Sequence, residues 1–419
     1  MSLRLSRALA LVALCLSPGY TGQGRIERLE ELIAEALRAN PEVQAARHRY
    51  QASRQRPTQE GALPEPTISI GYASVGRPYP FAGLGTEPMA NAGVMFMQEF
   101  PAPGKRRLRA GMAHQESRAA MQQYHAAQLQ VVSRVKQAYY QLAYAHALEE
   151  VVERNRRLLE QILRVSEARY AAGLAPQQDV FKVQTQLSLL EARREEITEQ
   201  RKLRQAEINQ LLGRPARSSP VQPEPLVMPG RLPPLADLLE AASRNSPALA
   251  ERERAIAGAE LAVNLARKDY YPDWGLSGGY FTMGRMGSMY MLRADFRLPL
   301  FRSRKQRPAL IEQHERLLAE RRAYEAEVLA LRLRIEQEYL AAERAARVAR
   351  IYSGAAVPQA GLTLEASLAS YQSGAVDMLT VLSNFESLLE LEINYLTELA
   401  GYYVSASRLE ELTGEALPK

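Results

Sequence analysis

The chain has 419 residues, 46% of them hydrophobic and 24% charged, with a mean hydropathy of −0.29. That average excludes a chain built of several membrane helices, each of which needs about 20 consecutive apolar residues, and it also excludes wholesale disorder. One cysteine excludes a disulfide framework and a cysteine–zinc cluster, and a net charge of +6 selects neither nucleic acid nor anionic lipid as a partner.

Residues 1–19 read as a secretory signal peptide. Arg4 and Arg7 precede the apolar stretch Ala8 to Leu16, and Ser17-Pro18-Gly19 supplies small and turn residues for cleavage. Cys15 lies in this segment. Val12-Ala13-Leu14 matches a bacterial lipobox poorly, because the residue before the cysteine is Leu rather than a small one. If Cys15 is removed, the exported chain has no cysteine, as suits an oxidising compartment.

The remainder reads as two copies of one unit, 25–213 and 235–414. Leu29-x-x-Leu32, Ala36 and Pro41 recur 206 residues on as Leu235-x-x-Leu238, Ala242 and Pro247. Tyr170-x-x-Gly173 and Leu211-x-Gly213 recur 201 residues on as Tyr371-x-x-Gly374 and Leu412-x-Gly414. Several matches in the same order at a nearly constant offset indicate a duplication. The joint, 214–234, is rich in proline and reads as an extended linker.

Each unit changes its rhythm twice. Residues 26–60 and 235–269 have a helical pattern. The next segments, 66–101 and 272–300, alternate with period two and predict a β-hairpin each. Ile68, Ile70 and Tyr72 alternate with Thr67, Ser69 and Gly71, and Val94 and Phe96 with Met95, Met97 and Glu99. Trp274, Leu276 and Tyr280 alternate with Gly275, Ser277 and Gly279, and Tyr290, Leu292 and Phe296 with Met291, Arg293, Asp295 and Arg297. Strands of about ten residues with one apolar face are the length of a transmembrane β-strand. Long helix pairs follow, at 104–213 and 303–413. Lys105 to Ala172 contains no proline and predicts one helix of about 100 Å. Gln306 to Gln372 reads as a similar helix carrying Pro308. The second helix of each pair has apolar residues stepping by three and four, a coiled-coil seam.

Four strands cannot close a barrel, and an open edge in a bilayer leaves backbone groups unpaired. Membrane-spanning strands here require several chains, and three would supply twelve strands. The basic clusters Lys105, Arg106, Arg107 and Arg302, Arg304, Lys305 both follow a strand-ending proline, Pro101 or Pro299. That is the depth expected for lipid headgroups.

With these features in place, the chain resembles the TolC-type outer membrane factors. The helix-turn segment Tyr170-Ala-Ala-Gly173-Leu-Ala-Pro-Gln-Gln-Asp179-Val180 carries the likeness, with a shorter partner at Tyr371-Gln-Ser-Gly374-Ala-Val-Asp377. Gln98-Glu99-Phe100-Pro101-Ala-Pro-Gly104-Lys105 and the run Met283 to Met291 are similar to the heavy-metal (CusC- and CzcC-like) branch. The resemblance implies a mainly α fold with a small antiparallel β part. Very long coiled-coil helices would form an α-barrel, and four strands per chain would join a trimeric twelve-stranded β-barrel. It implies a Gram-negative outer membrane channel, the exit duct of a tripartite efflux pump, with a long periplasmic extension and no enzymatic activity or cofactor. Its partners would be two further copies of the chain, a periplasmic adaptor protein, an RND-type inner-membrane pump behind the adaptor, and outer membrane lipid, with no nucleic acid. Heavy-metal cations are the leading cargo. Multidrug efflux and type I protein secretion are alternatives on the same fold, and a periplasmic coiled-coil adaptor is a third.

The resemblance also implies sites. Asp179 and Asp377 would ring the periplasmic aperture, where carboxylates favour cations; each equally suits the N-terminus of a helix. The tips Gly173, Leu174, Ala175 and Gly374, Ala375, Val376 would dock the adaptor. Met95, Met97 and Met291 fall on the polar strand face as weak candidates for soft-metal contact. The histidines (48, 114, 125, 146 and 314) have no paired ligand spacing. Gly275-Leu-Ser277-Gly-Gly279 fits a nucleophile-elbow pattern but sits inside an alternating strand.

Overall fold

The computed structural model describes residues 28–74, 79–218 and 220–417; the expected signal peptide, 1–19, and Cys15 lie outside the described residues. The first unit runs α1 (Leu29–Ala39), α2 (Pro41–Ser53), α3 (Arg56–Gly61), β1 (Thr67–Ala73), β2 (Asn91–Phe100), α4 (Lys105–Ala171) and α5 (Gln177–Leu211). The second runs α6 (Leu235–Asn245), α7 (Pro247–Lys268), β3 (Asp273–Met283), β4 (Met286–Arg297), α8 (Arg307–Ile351), α9 (Val357–Ser373) and α10 (Met378–Thr413). The helical stretch at the start of each unit is broken at its proline. Pro41 and Pro247 each open a fresh helix, and Asn40 caps α2 by accepting from the N–H groups of Glu42 and Val43.

Residues at corresponding places in the two units make corresponding contacts. Leu29, Leu32 and Ala36 of α1 pack on Val135 and Leu142 of α4 and Ile208 of α5. Leu238 and Ala242 of α6 pack in the same way on Leu331 and Ile335 of α8 and Leu409 of α10. Each unit closes on a glycine in the left-handed region, Gly213 (φ 69°) after α5 and Gly414 (φ 69°) after α10. A Cβ on Gly213 would stand 3.0 Å from the Ala39 carbonyl oxygen, and one on Gly414 would stand 3.3 Å from that of Asn245. The helix ends meet too closely for a side chain.

α4 is one unbroken helix of 67 residues, about 100 Å long. In its upper half it packs between α2 and α3 on one side and α7 on the other, with α8 beyond α7. In its lower half it packs on α5 and on α10. There Leu159 and Ile162 of α4, Val183 and Leu190 of α5, Leu364 of α9 and Phe385 of α10 make one buried cluster. Among the described residues no helix is long and apolar enough to cross a membrane.

The second long helix is opened and interrupted by π-turns while its backbone stays helical. Five-residue π-helical turns at Arg302–Gln306 and Tyr352–Ala356 precede Pro308 and Pro358, each in the first turn of the helix that follows. Proline cannot donate to the helical ladder, and its ring crowds the carbonyl four residues back; a π-turn is where such a break is absorbed. The proline-rich linker is fastened to the helices over its described residues 220–234. Val221 is buried, the Glu224 N–H donates to Tyr139 Oη at 2.8 Å, and Tyr403 Oη donates to the Val227 carbonyl at 2.9 Å.

The four strands form one antiparallel sheet in the order β1-β2-β3-β4. The β2–β3 pairing, Phe96 opposite Gly278 and Phe100 opposite Trp274, joins the two units. Gly213→Ala is expected to lower stability by about 1–2 kcal/mol, from left-handed strain and the Ala39 clash. A thermal melt followed by helical circular dichroism would show it; an unchanged midpoint would mean that this contact is not tight.

Candidate functional site

The sheet has two chemically distinct faces. One carries Ile68, Ile70, Val94, Phe96, Leu276, Tyr280, Tyr290, Leu292 and Phe296, all exposed in the single chain; Ile70 and Leu292 reach 84% and 80%. Water-facing sheets do not present such a continuous apolar face, whereas a hydrocarbon-facing sheet must. Aromatic pairs mark two levels on it. Tyr280 and Tyr290 sit 5.4 Å apart, and Phe100 stacks on Trp274 at 4.2 Å. The other face is polar. Arg293 Nε donates to Asp295 Oδ2 at 3.0 Å, and Arg297 Nη2 to Glu99 Oε1 at 3.3 Å. Among the described residues β1 and β4 each pair on one side only.

Met95, Met97 and Met291 lie on this polar face, and Met289 joins them. Among the described residues no group of three or more His, Cys, Asp or Glu could hold a metal ion. Ser277 is 2% exposed inside β3 and donates to the Arg293 carbonyl, so the Gly275–Gly279 pattern is strand and not a nucleophile elbow.

At the sheet–helix junction the basic residues divide. Lys105 is 4% exposed, which does not fit a lipid-facing role. Its Nζ meets Asp273 Oδ1 at 2.9 Å and Asp269 Oδ1 at 3.0 Å, and Asp273 also accepts from the Ala102 N–H. A buried ammonium needs such partners, so Lys105 ties the start of α4 to the second unit. Arg106 is also engaged inside the chain, donating twice to the Gly61 carbonyl. Arg107, Arg302, Arg304 and Lys305 are exposed. The sequence reading missed the two aspartates, since they lie 164 and 168 residues from Lys105 along the chain.

At the far end, the α4–α5 and α9–α10 turns come together. Gly173, Leu174, Gly374 and Ala375 are exposed, whereas Ala175 and Val376 are half-buried. Asp179 and Asp377 have different environments. Asp377 is exposed and caps α10, accepting from the Thr380 N–H at 3.0 Å and hydroxyl at 2.6 Å; these bonds hold its carboxyl below the usual range. Asp179 is 7% exposed and accepts from Tyr371 Oη at 3.1 Å. Arg169 completes this cluster. Its guanidinium lies 4.9 Å from the Tyr371 ring centroid, and it donates to the Gln372 and Leu174 carbonyls. One arginine thus bonds both turns, and a tyrosine from the second unit bonds an aspartate from the first. Arg169 gave no sequence signal, because the position equivalent to it in the second unit is Ser370.

The family described as outer membrane efflux protein matches residues 32–214 and 238–415. No curated protein matches the sequence. Several solved structures share the fold. The outer membrane protein VceC from Vibrio cholerae is 22% identical, with a TM-score of 0.79 over 93% of this chain and 96% of that one. The MtrE outer membrane channel from Neisseria gonorrhoeae, in its open state, is 19% identical, with a TM-score of 0.77 over 93% and 89%. CusC is 17% identical, with a TM-score of 0.76 over 96% of each chain.

Burial and the Asp179 carboxylate push the Tyr371 phenol up to about 12. A phenol held neutral in this way stabilises the folded chain fully below its unfolded value near 10 and loses that contribution as pH rises from about 10 to 12. Tyr371→Phe is expected to cost about 1–3 kcal/mol at neutral pH, because it leaves a buried carboxylate short of a partner. It should also remove one late-titrating phenol, near pH 12, from the absorbance titration at 295 nm, while the more deeply buried Tyr140 titrates later in both proteins. Identical titrations of wild type and variant would show that Tyr371 is not held neutral.

Proposed function

The chain belongs to the outer membrane efflux protein family and is an outer membrane efflux channel of the TolC type, and we propose that three copies form its conducting duct. As a channel it is neither an enzyme nor a coiled-coil adaptor. The observation that carries the trimer is the open sheet with a solvent-exposed apolar face and an unsatisfied edge at each side. Backbone groups on β1 and β4 have no partner in hydrocarbon unless another copy supplies it. Four strands per chain make twelve in three copies, within the range of closed membrane barrels. Exposed leucines on the long helices, among them Leu189, Leu203, Leu329 and Leu333, would be covered by the neighbouring copies.

The helices then form the periplasmic part of the duct, and the helix turns form its entrance. Asp377 is the better candidate for an aperture carboxylate, because it is exposed at the tip. Asp179 acts there through the Tyr371–Arg169 cluster, which holds the second-unit tip against the first and keeps the entrance narrow. The exposed Leu174 and its neighbours Gly173, Ala175, Gly374, Ala375 and Val376 offer a small, mostly uncharged surface for the tips of a periplasmic adaptor, with an RND-type pump behind it. Heavy-metal cations are the proposed cargo. Met95, Met97, Met289 and Met291 would set three copies of a thioether patch into the lumen, suited to brief contact with soft cations. Conduction requires that such contact be weak. The second reading, multidrug efflux, draws on the same lumen, where among the described residues no three His, Cys, Asp or Glu side chains come together to hold a cation.

Two measurements test this. The mass of the purified chain in detergent, corrected for bound detergent, should equal three chains of at most 46.8 kDa each; a mass of one or two chains would refute the trimer. Deleting the gene should raise sensitivity to copper, silver, zinc or cobalt. Unchanged tolerance to all four, with greater sensitivity to lipophilic drugs, would replace the metal reading by the multidrug one.

A further inference from the structure

Between the top of α4 and the end of α7 lies a cleft of about 720 Å³. Arg107, Arg267 and Lys268 face it, together with Gly104, Asn264 and Tyr271, and none of its lining residues is acidic. Among the described residues Arg267 donates only to Asn264 Oδ1, from Nη1 at 3.4 Å, and Lys268 Nζ sits 5.0 Å from the Tyr271 ring centroid. The neighbouring Asp269 meets Lys105 instead. Among the described residues the three cations of the cleft therefore meet no carboxylate. Three such charges facing one space repel each other, and an anion relieves that repulsion.

The position of the cleft indicates which anion. The stacked Phe100 and Trp274 stand at the foot of the apolar sheet face. Tyr271 is three residues before Trp274, a reach of at most about 10 Å. The cleft thus lies at the depth of the headgroup layer, which is roughly 5–8 Å thick on each side of a bilayer. It also lies on the lipid side. Lys105 of α4 turns to Asp273, which pairs with Arg297 on the polar face of the sheet. Arg107, two residues later, is rotated about 200° around α4 from Lys105. α4 and α7 are the two middle helices of the upper layer, as β2 and β3 are the middle strands, so the cleft is remote from the edges where another copy pairs. The fold itself does not demand these cations: 206 residues earlier, the places of Arg267 and Lys268 are held by Gly61 and Ala62.

We propose that this cleft binds the phosphate group of a membrane phospholipid, with Arg107, Arg267 and Lys268 as its ligands and Tyr271 beside the headgroup. The assignment rests on the reading that the sheet spans the outer membrane. Each chain then carries one such site, at the foot of β2 and β3, and the lipid fixes the height of the barrel in the bilayer.

The test is native mass spectrometry of the full chain in detergent, titrated with dioleoylphosphatidylglycerol. R107Q/R267Q/K268Q is expected to bind about 100-fold more weakly than wild type, about fivefold for each cation. Dioleoylglycerol, with the same acyl chains and no phosphate, should not remain bound. Equal retention of phosphatidylglycerol by wild type and variant would overturn the site. Inorganic phosphate binding as tightly as the lipid would make the free anion the occupant and overturn the lipid assignment. Should the triple variant fail to assemble, K268Q alone is expected to show the fivefold loss, and no loss would be equally fatal. Fractionation separates the two levels of the argument. Wild-type chain found outside the outer membrane would refute the spanning reading, whereas unaltered lipid retention by a variant correctly placed in that membrane refutes the cleft alone.

Discussion

Backbone N–H and C=O groups in hydrocarbon must be paired, and the rest of this molecule follows from that demand. The four strands satisfy one another only internally, and β1 and β4 remain open. An unsatisfied backbone group in a bilayer costs several kcal/mol, and each edge presents a row of them. The chain therefore cannot be a finished membrane protein on its own. Assembly is a condition of insertion, and the sheet's order β1-β2-β3-β4, with β1 from one unit and β4 from the other at its borders, makes head-to-tail ring closure the natural remedy.

Much of this was legible in the sequence, because the strongest signals are local and periodic. Alternation located all four strands, and the absence of proline from Lys105 to Ala172 located α4 to within a residue. The recurrent Leu-x-Gly marked a real contact, with Gly213 against Ala39 and Gly414 against Asn245. What stayed hidden depends on distance along the chain. Nothing near Lys105 announces Asp269 and Asp273. Arg107 reads as one of a basic run, although its neighbours Lys105 and Arg106 turn inward and its partners in charge come from α7. Periodicity alone reads 306–372 as one helix with Pro308 as its sole proline, whereas Pro358 lies in it too and follows a π-turn.

The two units have drifted apart most where the chain handles its tips. Tyr170 and Tyr371 occupy equivalent positions, yet Tyr170 is exposed and Tyr371 is buried against Asp179. Arg169 grips both turns, and its counterpart Ser370 cannot. Sequence symmetry at this end would suggest two interchangeable hairpins. The hydrogen bonds give one of them the role of holder and the other that of the held. The same asymmetry runs upward, with α4 α-helical throughout and its equivalent carrying a π-turn at Tyr352–Ala356.

An unbroken α4 also acts as a ruler. Its 67 residues set the spacing between the sheet and the tips at about 100 Å. Each inserted residue would lengthen that spacing by about 1.5 Å and turn the tip by about 100° relative to the sheet. Only changes of about seven residues return the same face to the same neighbours, and they must occur together in α4, α5, α10 and the α8–α9 helix. Duct length in such a molecule is therefore inherited in steps of roughly 10 Å, four helices at a time. The width of the cell envelope it bridges is matched in whole heptads rather than adjusted residue by residue.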